Sequence, residues 1–281
     1  MEETRNTQNP LKQFYRTPKV YVQLPSRGLF NDVSNEAVTG EIPVYAMTSK
    51  DELLMKNPDA LLNGDAVIGV IKSCVPNIGD PKNLPVCDVD LLLIAIRMAT
   101  FGEFMEARLK SPHTGKTETY DINLNNILET VKPLPEQNSV VLNNGCTVHV
   151  KPFTYEVQTR INLAAYDQAK ALRNVNEASN SSNEAEKFKM MFVKLANINM
   201  DVIAESIQKI LTPNGDVVTD TAMIREFLDN LETVDTKSID KKIDQLNKVS
   251  TSIKQEVICK ETEKPFETEI NLDPSDFFVS S

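Results

Sequence analysis

Apolar positions change their rhythm twice along this chain of 281 residues. As far as residue 152 they come in short runs punctuated by proline and glycine. Val20-Tyr21-Val22 reads as a strand entering a turn at Pro25 and Gly28, and residues 41–45 read as a second strand. Ser49 followed by Glu52 makes a capping-box pair, so a helix is expected to start there. Pro58, Gly64 and Gly69 divide the next stretch into short helices. Asp88 is placed to cap a helix running to about Thr100, with Gly102 to stop it. Residues 91–101 of that helix are apolar on almost every face, which marks a core element rather than an amphipathic one.

A hairpin is expected over residues 108–124, turning at Ser111-Pro112-His113-Thr114-Gly115, and a second over 140–150, turning at Asn144-Gly145. Beyond Pro152 the spacing becomes helical, over 155–173 and 185–211 with the polar linker 174–183 between them, and again over 221–231. Ile239, Ile243, Leu246, Ile253 and Val257 form a stripe at three- and four-residue intervals, interrupted at Ser250. A partner helix fits such a stripe, but a seam this short is better served by folding back on its own chain. Residues 256–272 read as a last hairpin, with Phe266 and Phe277 as aromatic anchors. The expected fold class is α+β. A flexible arm at 1–18 precedes a mixed module with short strands and hairpins at 19–152; a helical module follows at 153–255, and a carboxy-terminal hairpin at 256–281 packs back.

Composition narrows the function classes. A hydrophobic share of 41% with 25% charged residues is that of an ordinary globular protein. The net charge of −10 and the lack of any dense Lys/Arg run speak against a nucleic-acid partner. Cys74, Cys87, Cys146 and Cys259 are too scattered for a disulfide framework, so reduced thiols in a bacterial cytoplasm are expected. The start is acidic and polar, unlike a signal peptide, and the longest apolar run, 91–96, is far below the roughly 18 residues of a membrane span. A soluble intracellular product is expected.

Catalytic chemistry finds little to work with. His113 and His149 are the only histidines, and no Gly-x-Ser-x-Gly elbow, phosphate loop or dinucleotide glycine pattern accompanies them. His149 suits a half-buried sheet position. Asn214-Gly215-Asp216 lacks the oxygen series of a calcium loop. No enzyme, no catalytic residue and no cofactor is expected. Arg97 is the only charge between Leu91 and Phe101. It either organises a buried polar site with Asp88 or Asp90, or runs its stem to the surface, where Asp90 can pair with it locally; the second reading is favoured.

Three motifs in order carry a resemblance: Leu24-Pro25-Ser26-Arg27-Gly28, then Met47-Thr48-Ser49-Lys50-Asp51-Glu52, then Arg97-Met98-Ala99-Thr100-Phe101-Gly102. With the Asn-Gly hairpin ending at Pro152, they resemble the baseplate hub family of contractile-tailed, T-even-like bacteriophages, over residues 20–160 and the carboxy-terminal hairpin. The resemblance implies a non-enzymatic late protein of the phage tail, acting in the structure or assembly of the baseplate hub, located in the host cytoplasm during assembly and, as a virion structural protein, in the tail baseplate. The alternative it leaves open is a transient, chaperone-like binder of a tail component such as the tape measure protein, absent from the mature particle. Implied partners are other tail or hub proteins, with no nucleic acid and no membrane span; the oligomeric state stays open. Candidate contacts are the arm at 1–18, the loop at 174–184 and the stripe at 239–257. The family also carries zinc knuckles. Its Cys-Pro-x-Cys-Gly falls on Ser111-Pro112-His113-Thr114-Gly115, and its Cys-x-x-Cys on Cys259-Lys260-Glu261-Thr262. Only Cys259 keeps sulfur, so no metal is expected. The two turns should nonetheless face each other in a degenerate, zinc-ribbon-like arrangement, with Ser111 and Cys259 within about 15 Å.

Overall fold

The chain opens with an antiparallel ribbon, β1 (Val20–Val22) against β2 (Ile42–Val44), which sets Val20 opposite Val44, Tyr21 opposite Pro43 and Val22 opposite Ile42. The computed structural model describes residues 9–30, 40–76, 78–177, 182–251, 254–269 and 277–278. Residues 1–8 of the expected arm therefore lie outside the described residues. The rest of it makes a 3-10 turn at Pro10–Phe14 and docks through Arg16, whose guanidinium donates to the Ala46 carbonyl and, at 2.5 and 2.9 Å, to the carbonyl and hydroxyl of Ser73.

Three short helices follow, α1 (Ser49–Met55), α2 (Pro58–Leu62) and α3 (Asp65–Cys74). The capping box of α1 lies one residue earlier than expected. Thr48 Oγ1 accepts from the Asp51 amide at 3.4 Å, and Asp51 Oδ2 accepts from the Thr48 amide at 2.8 Å. Asp51 wins over Glu52 because its shorter carboxylate also accepts from Ser73 Oγ at 3.0 Å, tying α1 to α3.

Helix α4 (Val86–Phe101) is the axis of the larger core. Leu92, Ile94 and Ile96 are fully buried on its different faces, against β1, β2 and α3 on one side and the helix α5 (Leu124–Thr130) on another. Each such side chain contributes about 1.5–3 kcal/mol by leaving water. Asp88 does not cap α4 as expected, since Pro85 occupies the cap and the Asp88 carboxylate is engaged elsewhere. The helix stops at Gly102, whose φ of +97° favours glycine. The predicted hairpin follows as β3 (Phe104–Lys110) and β4 (Thr117–Asn123), with Phe104 opposite Asn123 and Lys110 opposite Thr117.

The Asn-Gly hairpin forms β5 (Ser139–Val141) and β6 (Thr147–Val150), and two long helices come next, α6 (Tyr155–Glu177) and α7 (Ser182–Glu205). Helix α7 does not reach residue 211. Ile207–Leu211 is a strand, β7, paired with β6, and Val217–Val218, β8, pairs with β7. The expectation of unbroken helix over 185–211, and of helix alone over 153–255, is thereby corrected. These strands complete an antiparallel sheet in the order β5-β6-β7-β8. The α+β class stands, a mixture of helices and small antiparallel sheets.

Helices α8 (Thr221–Asp229) and α9 (Thr233–Thr251) cover one face of that sheet, forming a second core in which Val148, Val150, Ile207 and Ile210 meet Ile224, Leu228, Ile239, Ile243 and Leu246. The stripe is thus spent within the chain, because Ile239, Ile243 and Leu246 are at most 2% exposed. That removes them as partner contacts; Ile253 lies outside the described residues. Of the loop at 174–184, residues 178–181 likewise lie outside them. The two cores are stitched together where α4 and α6 begin, by Val86 N–H donating to the Phe153 carbonyl at 3.0 Å and Tyr155 N–H to the Leu84 carbonyl at 2.9 Å.

The last hairpin, β9 (Lys254–Ile258) with β10 (Pro265–Glu269), returns to the first core. Val257, Cys259, Phe266, Phe277 and Phe278 all pack among the side chains around α4.

Candidate functional site

Two turns with one backbone geometry face each other between the β3–β4 and β9–β10 hairpins. In the first, Ser111 N–H donates to the Lys116 carbonyl at 2.9 Å and Gly115 N–H donates to the Ser111 carbonyl at 2.8 Å. In the second, Cys259 N–H donates to the Lys264 carbonyl and Glu263 N–H to the Cys259 carbonyl, both at 2.9 Å. The fifth residue is left-handed in both, Gly115 at φ +70° and Glu263 at φ +55°. Ser111 and Cys259 are therefore equivalent positions, as are Thr114 and Thr262. Between the turns the Ser111 hydroxyl donates to Cys259 Sγ at 3.2 Å, and both residues are completely buried.

The surrounding contacts clamp the hairpins. His113 Nε2 lies 3.2 Å from the Pro265 carbonyl, Lys116 pairs with Glu261, and the Phe266 ring meets Tyr120 edge-on at 5.8 Å. The Cys259 thiol is brought down to about 6 by the Ser111 hydroxyl first, then by the side chain and amide of Thr262, against desolvation. At the positions aligned with the family's knuckle cysteines, the hydroxyls of Ser111 and Thr262 thus bond to the one thiol. Ser and Thr are poor zinc ligands.

Arg97 corrects both readings made of it. Its head does not reach water, being 4% exposed, and it pairs with neither Asp88 nor Asp90. It donates through Nη1 to the Phe277 carbonyl at 2.7 Å and lies 5.3 and 5.4 Å from the ring centres of Phe101 and Phe277. Among the described residues its Nε has no hydrogen-bond partner. Arg97 thus holds the carboxy-terminal segment, a partner that arrives from 180 positions away.

Asp88 holds the Pro25-Ser26-Arg27-Gly28 loop. Its Oδ1 accepts from the Ser26 amide at 2.9 Å and its Oδ2 from the Ser26 hydroxyl at 2.5 Å. Burial lifts its carboxyl to about 6 in spite of those bonds, and lifts Asp90, two positions on, to about 7. His149 sits on β6 beside Lys209 of β7 and is lowered by desolvation first and by that lysine second. Asp216 closes the β7–β8 turn, where its amide donates to Thr212 Oγ1 at 3.0 Å. Sequence reasoning gave no hint of the Arg16 clamp, since a lone arginine in a polar segment carries no pattern. Among the described residues no group of three or more His, Cys, Asp or Glu side chains is placed to hold a metal, and no helix is long and apolar enough to cross a membrane.

These features sit inside one continuous match. The model of a family described as T4 bacteriophage base plate protein matches residues 17–279. The chain belongs to that family. The match takes in every element of the baseplate protein from β1 to the buried Phe277–Phe278 pair, so the second core and the returning hairpin are family structure as much as the first. No curated protein and no solved structure matches the chain.

Proposed function

We propose that this baseplate protein is a non-enzymatic part of the baseplate hub, working by binding other tail proteins while the hub is built. The observation that carries the reading is the family match over residues 17–279, which spans both cores. The side chains support it. The polar groups drawn together at Ser111–Cys259, Ser26–Asp88 and Arg97–Phe277 are spent on joining segments distant in sequence. The net charge of −10 suits a subunit kept in solution before assembly.

The modules read from the sequence, 19–152 and 153–255 with the hairpin at 256–281, are proposed as units that present separate surfaces to those partners, with β5 and β6 counted in the second, whose sheet they share, and the hairpin in the first, whose core it joins. The test is deletion of the gene in the phage that encodes it. Heads should form while tails or baseplates fail, and mass spectrometry of purified particles should find the chain in fixed proportion to other baseplate proteins. Its absence from otherwise complete particles would replace the structural part with a transient binder of a tail component such as the tape measure protein. Normal contractile tails in the deletion strain would overturn both.

A further inference from the structure

The Pro-Ser-Arg-Gly loop is built more elaborately than a connection requires. Ser26 is fixed from below by two hydrogen bonds to the buried Asp88 carboxylate, and the Pro25 carbonyl accepts from the Leu134 amide at 2.9 Å. Two overlapping turns result, Arg27 N–H to the Leu24 carbonyl and Leu29 N–H to the Ser26 carbonyl, and they drive Arg27 to φ +49°. A side chain of that size in the left-handed region costs about 1–2 kcal/mol relative to ordinary backbone. Gly28 next to it, at φ +73°, bears no such cost.

The strained, exposed Arg27 stands at the rim of a cavity of about 310 Å³ between β1 and α5. Leu91 contributes apolar floor; Tyr21, Asn125, Glu129 and Lys132 are among its walls. Two cations against one carboxylate give this cavity a positive balance on a chain whose net charge is −10. One wall is a strand edge. Tyr21 is paired with Pro43, which has no N–H to give, so the N–H and C=O of Tyr21 turn away from β2. On that side no described strand flanks β1.

We infer that this cavity receives an extended, acidic segment of another protein, which adds alongside β1 at Tyr21 and sets a carboxylate between Arg27 and Lys132. The inference deepens the reading of the chain as a binding component of the baseplate and rests on it. Main-chain bonds to Tyr21 supply register, and the paired cations supply the choice of an acidic partner. A second copy of the chain offering such a segment would reveal itself by dimerisation.

The probe is the peptide acetyl-Glu-Val-Glu-Val-Glu-amide, titrated into the isotope-labelled full chain at low salt, with acetyl-Gln-Val-Gln-Val-Gln-amide as comparison. The Glu peptide should shift the Tyr21 amide and bind at least tenfold more tightly than the Gln peptide, and Arg27→Gly with Lys132→Gln should remove most of that preference. No shift at Tyr21, or equal binding of the two peptides, would overturn the inference. A second measurement separates a structural role for Arg27. Glycine accepts φ +49°, so Arg27→Gly should melt no lower than the parent chain, yet restore baseplates in a deletion strain at least tenfold less well, while Arg27→Lys restores them. Full restoration by Arg27→Gly would refute it. Should the deletion strain itself build normal tails, the proposed function fails, and the peptide result decides the cavity by itself.

Discussion

Ser111 and Cys259 stand 148 positions apart in the chain and meet side chain to side chain at 3.2 Å, each from the first position of the same kind of turn. The likeness of the two turns makes Ser111 and Thr114 the counterparts of Cys259 and Thr262. The hydroxyls of Ser111 and Thr262 bond to the Cys259 thiol.

That relationship predicts a gain of function. The triple variant Ser111→Cys, Thr114→Cys and Thr262→Cys, with Cys259 retained, should bind one zinc per chain by elemental analysis. Its melting temperature should rise with the metal and fall on chelation. The parent chain, treated alike, should retain no stoichiometric zinc.

Arg97 and Phe277 should behave as one unit. Arg97→Met removes a charged hydrogen bond and two ring contacts, for a loss of about 2 kcal/mol. Phe277→Ala empties a buried site, for about 3 kcal/mol. Chemical denaturation of the double variant should show a loss smaller than the sum by about 1 kcal/mol, because the second change finds the contact already gone.

Stability should fall as pH rises from 5 to 8. Asp88 and Asp90 are lifted by burial from 3.8 to about 6 and about 7, so the folded state prefers their protonated forms. Their contribution is complete below the unfolded value near 3.8 and is lost as pH climbs through 6 and 7. Cys87 interacts with both aspartates and Tyr155 with Asp90, and neither supplies a cation. Asp90→Asn should therefore flatten the slope and stabilise the chain at pH 8 by on the order of 2 kcal/mol, allowing for the partial contact of Asp90 with water. Melting curves across pH measure it.

The cap of α1 makes the smallest prediction. Thr48→Ala should cost about 1 kcal/mol by thermal denaturation and Ser49→Ala only a few tenths, since the Thr48 hydroxyl holds the Asp51 amide.

Where the sequence could be read, one physical cause dominated locally. Helix α4 is apolar all round and meets a glycine, so its extent and its central place followed. The Asn144-Gly145 turn announced β5 and β6. Strand β7 was hidden by a bulge. The register with β6 slips between His149 and Val150, which leaves Gln208 as an extra residue and turns Ile207 and Ile210 inward three positions apart. Spacing of three continues the pattern of Val202 and Ile203 in α7, so the strand looked like one more helical turn. Arg97 was misread for another reason. Within its own helix it has only water or Asp90 to turn to, and nothing in residues 86–101 announces Phe277. Between neighbouring Thr48 and Ser49, only the position of Ser73 on α3 decides which hydroxyl caps.

The return of β9, β10 and Phe277–Phe278 to the core around α4 has a consequence for how the protein is made. Every other described element precedes these in the chain, so α4 and its Arg97 face meet their last partners only after residues 254–278 have been made. The larger core is thus begun first and closed after the second one, and loss of that returning segment should open it while the sheet of the second core stays whole.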